Sequence, residues 1–408
     1  MKYLELKKLF QSKRMKQIYF DNAATTAVDP KVLEAMLPYF QDHFGNASSL
    51  HSYGQTAQGA VDEARDKVAS YLKCKSQEII FTAGATESNN LVIQGIVSYL
   101  SQNNKSLHVI TSKIEHPSVL EVFKYLEKQK LAEVSYLEVD KFGLISVEKL
   151  KKTIKSNTVL VSIMYANNEM GAIQPIQQIG ELIKQVRTER GLKSLPLYFH
   201  VDAVQGLNYL DCEVDTLGVD ALSASGHKIH GPKGIGFLYL RAGVKVRPVN
   251  YGGHHEYNLR PGTLNVPAIV GLGKAVELVK NYKNENVIKI KKIKEALIND
   301  LKKIENIRFN GPENGGQLPN IINVSFLKAE GESILMMLDL AGIAISTGSA
   351  CSSGSLEPSP ILTAMGIKPE WSHGSLRISL SKFNSLTEVK IFIKELTTAI
   401  TKLRKMAP

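Results

Sequence analysis

Glu78-Ile79-Ile80-Phe81-Thr82-Ala83-Gly84-Ala85-Thr86-Glu87 is the stretch that decides the fold. It opens as a short β-prone run, passes through a glycine turn and enters a helical pattern over 87–100. A further strand pattern follows at 108–111. Upstream, Ala57, Val61, Ala64, Val68 and Leu72 recur at helical spacing. Downstream, a helix at 119–130, a buried strand at 159–164, a helix at 176–187 and strands at 197–201 and 235–240 continue the alternation. Alternation of this kind predicts an α/β fold, a mostly parallel sheet covered by helices. After about residue 270 the pattern changes. Helical patterns at 266–283 and 286–304 lead to a strand at 321–326, a helix, a Ser/Gly-rich loop, a strand at 376–380 and a closing helix near 387–404. This half reads as a second, smaller α+β domain.

The 408 residues are 43% hydrophobic and 22% charged, an ordinary globular composition and enough chain for two domains. The net charge of +11 is spread along helical stretches such as 289–294, with no DNA- or RNA-binding motif beside it. A solvated helix face explains it, with an acidic protein partner as the second reading and no nucleic acid expected. No apolar run reaches membrane-spanning length, and residues 1–14 lack a signal-peptide core. That segment reads as a short helical arm or as sequence upstream of an alternative start at Met15. Three cysteines, Cys74, Cys212 and Cys351, make no disulfide framework or zinc spacing, which points to a reducing compartment.

Open parallel sheets bind ligands beyond the carboxyl ends of their strands, and polar residues collect at those positions here. Gly84-Ala85-Thr86-Glu87 starts a helix, which makes an anion site or an ordinary cap. Asp202 ends the strand at 197–201, with Gln205 three residues on; a carboxylate there suits a pyridine nitrogen, or is a plain turn residue. His116, before Pro117, suits ring stacking and proton transfer near neutral pH, or helix capping. Asn167-Asn168-Glu169 follow the strand at 159–164 and suit ligand contact or a turn. Lys228 lies in Ser223-Ala224-Ser225-Gly226-His227-Lys228-Ile229-His230-Gly231, a small-residue loop that suits a covalent aldehyde anchor and equally a polar turn. Arg377 on a core strand calls for a planar anionic partner, substrate or structural. Cys351 sits in Ser346-Thr347-Gly348-Ser349-Ala350-Cys351-Ser352-Ser353-Gly354, where small polar neighbours favour accessible sulfur chemistry. Cys74 and Cys212 read as structural.

The order and wording of these motifs resemble the cysteine desulfurases of the class V aminotransferase group. The likeness runs from Tyr19-Phe20-Asp21-Asn22-Ala23-Ala24-Thr25-Thr26 to the C-terminal helix. It is strongest at 81–87, at the Lys228 loop and at Gly348-Ser349-Ala350-Cys351-Ser352-Ser353-Gly354, which resembles the long-loop subgroup that serves iron–sulfur cluster assembly. The resemblance implies a fold-type-I pyridoxal-phosphate enzyme with a mostly parallel seven-stranded sheet. Residues 28–265 would form the large cofactor-binding domain, and 1–27 with 266–408 the small domain carrying the cysteine loop. It also implies a cytoplasmic homodimer with shared active sites.

Carried over by motif, Lys228 would hold pyridoxal 5'-phosphate; Ala85, Thr86, Ser225 and His227 would bind its phosphate, with Thr263 reaching in from the neighbouring subunit. Asp202 would pair with the pyridinium, Gln205 with the ring hydroxyl, and His116 would stack and move protons. Asn168, beside the cofactor, and Arg377 would hold L-cysteine, Arg377 at its carboxylate. Lys228 would move the α-proton, and thiolate Cys351 would take the sulfur as a persulfide, releasing alanine. No resident metal is implied, and Cys351 is at most a transient iron–sulfur ligand through a partner. The acceptor would be an iron–sulfur scaffold or another protein. Three positions depart from the family pattern: His254 and Asn258 replace usual glycines, and Ala47 stands where proline is usual. The alternatives are a selenocysteine lyase or another class V enzyme, and a basic binding protein that has lost the chemistry.

Overall fold

The computed structural model describes residues 17–104, 106–191, 194–312, 315–347 and 359–406; Cys351 lies outside the described residues. Strand β1 (Ile18–Tyr19) starts the described chain. Seven further strands build the main sheet: β2 (Ile79–Thr82), β3 (His108–Ser112), β4 (Glu133–Leu137), β5 (Thr158–Met164), β6 (Tyr198–Asp202), β7 (Ala221–Ser225) and β8 (Gly236–Leu240). Their order is β2-β8-β7-β6-β5-β3-β4. β4, β3, β5, β6 and β7 run parallel, whereas β8 is antiparallel to both β7 and β2. β2 therefore points the same way as the parallel strands. Every residue of β5 and β7 is buried, as expected where helices cover both faces and apolar runs replace alternation.

The main-sheet strands read from the sequence fall within a residue or two of those observed, but two strands of that sheet were missed. β4 is an edge strand whose Glu133 is exposed and whose next three residues are only half-buried, so it carries no continuous apolar run. β7 ends in small residues, Ser223-Ala224-Ser225, which look like loop. The helix Ala85–Leu100 packs beside β7 and β8 and presents Asn89 toward Asp202.

The second sheet is β9 (Ile307–Asn310), β10 (Ile321–Phe326), β12 (Ser346–Thr347) and β13 (Ser375–Ser379), all antiparallel, in the order β12-β13-β10-β9. A two-residue β11 (Ile343–Ala344) pairs with β1. The two helical patterns expected at 266–283 and 286–304 are one continuous helix, Val266–Leu301. No glycine or proline lies between 274 and 301, so nothing breaks it. It serves two separate cores: Val266, Leu272 and Val279 pack with the main-sheet layer, and Ile290, Leu297 and Leu301 pack with β10, β13 and the helix Leu386–Met406. Among the described residues no helix is long and apolar enough to cross a membrane.

Candidate active site

The carboxyl ends of β2, β3, β5, β6 and β7 open onto one cavity of about 970 Å³. Each strand end contributes to its wall. After β2, Gly84 caps the helix Ala85–Leu100 without a side-chain cap, and Ala85 and Thr86 face the cavity. Gly84 has φ 152 and ψ 176, a conformation that strains any residue with a Cβ. A Cβ on Gly236 of β8 would lie 2.8 Å from the Gly84 Cα and 2.5 Å from the Ala224 carbonyl oxygen. Two glycine backbones crossing in contact thus place the helix start beside Ser225.

Asp202 ends β6 buried, its Oδ2 accepting from Asn89 Nδ2 at 2.8 Å and its Oδ1 from the Val204 amide at 3.0 Å. Asn89 also donates to Ser118 Oγ at 2.9 Å, and Ser118 Oγ lies 2.8 Å from His116 Nδ1. A polar chain therefore runs from Asp202 to His116. His116 caps the helix Pro117–Lys128, accepting from the Ser118 amide at 3.1 Å, and it also lines the cavity. Burial is the main force holding its imidazole below the ordinary value; the Asp202 carboxylate opposes that and the Lys228 cation reinforces it.

Lys228 ends the turn Gly226–Lys228 that follows β7. Its Nζ donates to the carbonyls of Ala23 at 2.6 Å and Ala24 at 2.8 Å. Gln205 Nε2 donates to the same Ala23 carbonyl at 3.0 Å. His227 Nδ1 lies 3.1 Å from Thr25 Oγ1, and burial with the Lys228 charge brings its pKa down to about 4. The segment 21–26 therefore meets Lys228, Gln205 and His227, and through Asp21 also Arg377, four of the residues singled out from the sequence. Its own role was not seen there. The signals were a non-periodic, small and polar run, Asp21-Asn22-Ala23-Ala24-Thr25-Thr26, directly after an apolar strand, and its place at the start of the family likeness.

Of Asn167-Asn168-Glu169, only Asn168 lines the cavity. Asn167 and Glu169 are spent on structure: Asn167 Oδ1 accepts from the Glu169 and Met170 amides, and Glu169 Oε2 accepts from Ser359 Oγ at 2.6 Å. Burial raises the Glu169 carboxyl to about 7. Arg377 reaches the cavity from β13, donating through Nη2 to Asp21 Oδ1 at 2.9 Å and through Nη1 to the Asn168 carbonyl at 3.1 Å. The planar anion expected for it is thus Asp21, a residue the sequence reading did not pair with it. Thr263 is exposed and does not line this cavity. Burial raises the Cys74 and Cys212 thiols to about 12, which keeps both protonated and supports their structural reading. Asn258, replacing a usual glycine, has φ 64, and its Oδ1 lies 2.7 Å from Nδ1 of His254, the other replacement.

These residues fit pyridoxal phosphate. An uncapped helix start suits a phosphate, a buried carboxylate at a strand end suits a ring nitrogen, and the Lys228 amine belongs to a residue lining the same cavity. Asn168 Oδ1 and Arg377 Nε are buried without a hydrogen-bond partner among the described residues, so polar capacity remains for a ligand. A family model for class V aminotransferases matches residues 18–392.

The chain belongs to the class V aminotransferase family.

Enzymes of this family use pyridoxal phosphate, and the site of this class V member is built for it. The chain is 44% identical to "Cysteine desulfurase IscS" of Dictyoglomus turgidum over 96% of its length and 97% of the relative's. It is 46% identical to "Cysteine desulfurase IscS" of Methanosarcina thermophila over 96% of its length and 94% of that protein's. Among solved structures it matches a "NIFS-like protein" with a TM-score of 0.87 at 36% identity, covering 95% of this chain and 100% of the other. It also matches "SspA in complex with cysteine" with a TM-score of 0.75 at 35% identity, covering 90% of this chain and 100% of the other.

Proposed function

We propose that this chain is an L-cysteine desulfurase. It releases L-alanine and passes the sulfur to Cys351 as a persulfide, for an iron–sulfur scaffold or another acceptor protein. The observation that carries the reading is the convergence of Lys228, Asp202, the uncapped helix start and Arg377 on one cavity. The curated relatives named above, cysteine desulfurases along nearly their whole length, support it.

Bound pyridoxal phosphate supplies an electron sink for a carbanion at the substrate α-carbon. Ala85, Thr86, Ser225 and His227 would hold its phosphate, Asp202 its ring nitrogen, Gln205 its hydroxyl and His116 its face. Lys228 would anchor it and, once displaced by the substrate amine, carry the α-proton. Asn168 and Arg377 would hold L-cysteine, Arg377 by the carboxylate. His116, kept neutral by burial, is in the state that accepts a proton. The Cys351 thiolate would attack the substrate sulfur: the S–S bond forms, the Cβ–S bond breaks, and its electron pair with a proton completes the alanine methyl.

Two units joined by the helix Val266–Leu301 support a large cofactor domain and a smaller one. A homodimer is supported by exposed Phe40 (57%), Phe44 (66%) and Leu50 (92%), and by Thr263, exposed and outside its own chain's cavity. A cytoplasmic site of action is supported by the sparse, odd set of three cysteines, which makes no disulfide framework. The function is tested by incubating the holoenzyme with L-cysteine and measuring alanine together with a one-sulfur mass gain on the Cys351 peptide. Undiminished sulfide release by Cys351→Ala sinks the persulfide mechanism.

A further inference from the structure

We infer that Asp21 is a fixed counter-ion of Arg377 that holds down the affinity of the site for α-amino-acid carboxylates, and so limits retention of the product. The inference rests on the reading of Arg377 as the carboxylate clamp. Arg377 is a forked donor with three nitrogens, and the structure accounts for them unequally. Nη2 meets Asp21 Oδ1 at 2.9 Å, Nη1 meets the Asn168 carbonyl at 3.1 Å, and Nε is buried with no hydrogen-bond partner among the described residues. The Arg377 side chain is 2% exposed and that of Asp21 17%. The pair is therefore single-pronged and mostly out of water, and only two of the five guanidinium N–H donors are taken.

The backbone of Asp21 is fixed in place. Its backbone forms a bridge with Ser379, two residues along β13 from Arg377. The chain on both sides is fastened as well, the Phe20 amide to the Ala344 carbonyl at 2.8 Å and the Asn22 amide to the Ser379 carbonyl at 3.2 Å. An incoming carboxylate at the cavity-lining guanidinium thus adds a second negative charge to one already neutralised by the first. In a poorly solvated site the like charges repel, and the attraction left for the ligand falls. Removing the resident charge leaves a buried, uncompensated arginine that seeks an anion.

Calorimetric titration of the holoenzyme with L-alanine and with ethylamine, its counterpart without the carboxylate, tests this. Asp21→Asn and Asp21→Ser are compared with the unchanged chain, and a thermal melt confirms that each variant is folded. The expected result is L-alanine binding about tenfold tighter in either folded variant, with ethylamine unchanged. Over an Arg377→Gln background the gain disappears. Unchanged or weaker L-alanine binding in the Asp21 variants overturns the inference, as does a gain that survives Arg377→Gln. If the unchanged chain binds L-alanine no better than ethylamine, the clamp reading fails first and takes the inference with it. A preference for L-alanine that the Asp21 variants leave intact sinks the role of Asp21 alone.

Discussion

Arg65 and Arg377 are 7% and 2% exposed, and each meets a carboxylate, yet the two pairs are built for different ends. Arg65 grips Glu256 with two nitrogens, at 2.6 and 2.9 Å, and also donates to the Ile79 carbonyl at 2.6 Å. Glu256 accepts in addition from the Phe81 amide at 2.7 Å, and the Phe81 and Tyr257 rings lie 4.7 and 5.5 Å from the guanidinium. That pair ties the loop after residue 250 to β2. Arg377 holds its carboxylate by a single hydrogen bond, faces a cavity and keeps an unpartnered Nε. A saturated buried ion pair is a fastening, whereas an unsaturated one beside a cavity is a receptor. Saturation, not burial, separates them.

The sharpest way to break the comparison is to unmake the saturated pair. Arg65→Ala strands Glu256 without its partner and should cost about 3–5 kcal/mol in urea unfolding. The double variant Arg65→Met/Glu256→Gln should recover more than half of that, because neither charge is then left alone. Arg377→Gln should cost less stability but raise the KM for L-cysteine about 100-fold, with a smaller change in kcat, since charge-assisted bonds to a carboxylate are lost. Equal stability losses at the two arginines would erase the distinction.

Glu115 gives a third reference point, a buried carboxyl with no cationic partner among the described residues. Its Oε1 accepts from Ser112 Oγ at 2.6 Å and the Met164 amide at 3.1 Å, Oε2 has no partner among the described residues, and burial raises its pKa to about 8. The native state keeps the proton that the unfolded chain releases near the ordinary carboxylate value. Stability contributed by this group is therefore present at low pH and lost as pH rises toward 8. Glu115→Gln should flatten that decline and be about 2 kcal/mol more stable than the unchanged chain at pH 9, read from melts across pH 5–9. The smallest effect is expected at Asn258, two residues beyond Glu256. Asn258→Gly relieves a positive φ but gives up the contact with His254, and should move stability by less than about 1 kcal/mol.

Much of the main sheet was legible because buried parallel strands leave continuous apolar runs. β4 escaped because an edge strand leaves none, and β7 because its serines carry no strand signal. At the site, Asp202 and His116 were legible because each closes a strand or follows one, and Lys228 because it lies in a small-residue, glycine-containing loop. Asn89 was not, being one more polar residue in an amphipathic helix until the fold sets it between Asp202 and Ser118.

The sequence by itself determined the α/β alternation, the residue types at the strand ends and the need of Arg377 for an anion. Those follow from local periodicity and from the chemistry of single side chains. Only the tertiary structure decided which anion answers Arg377, since Asp21 lies 356 residues away. It also decided that segment 21–26 meets Lys228, Gln205 and His227 with backbone carbonyls and a threonine hydroxyl. Backbone carbonyls are the same in every residue, so no pattern of side chains announces where the fold will bring them.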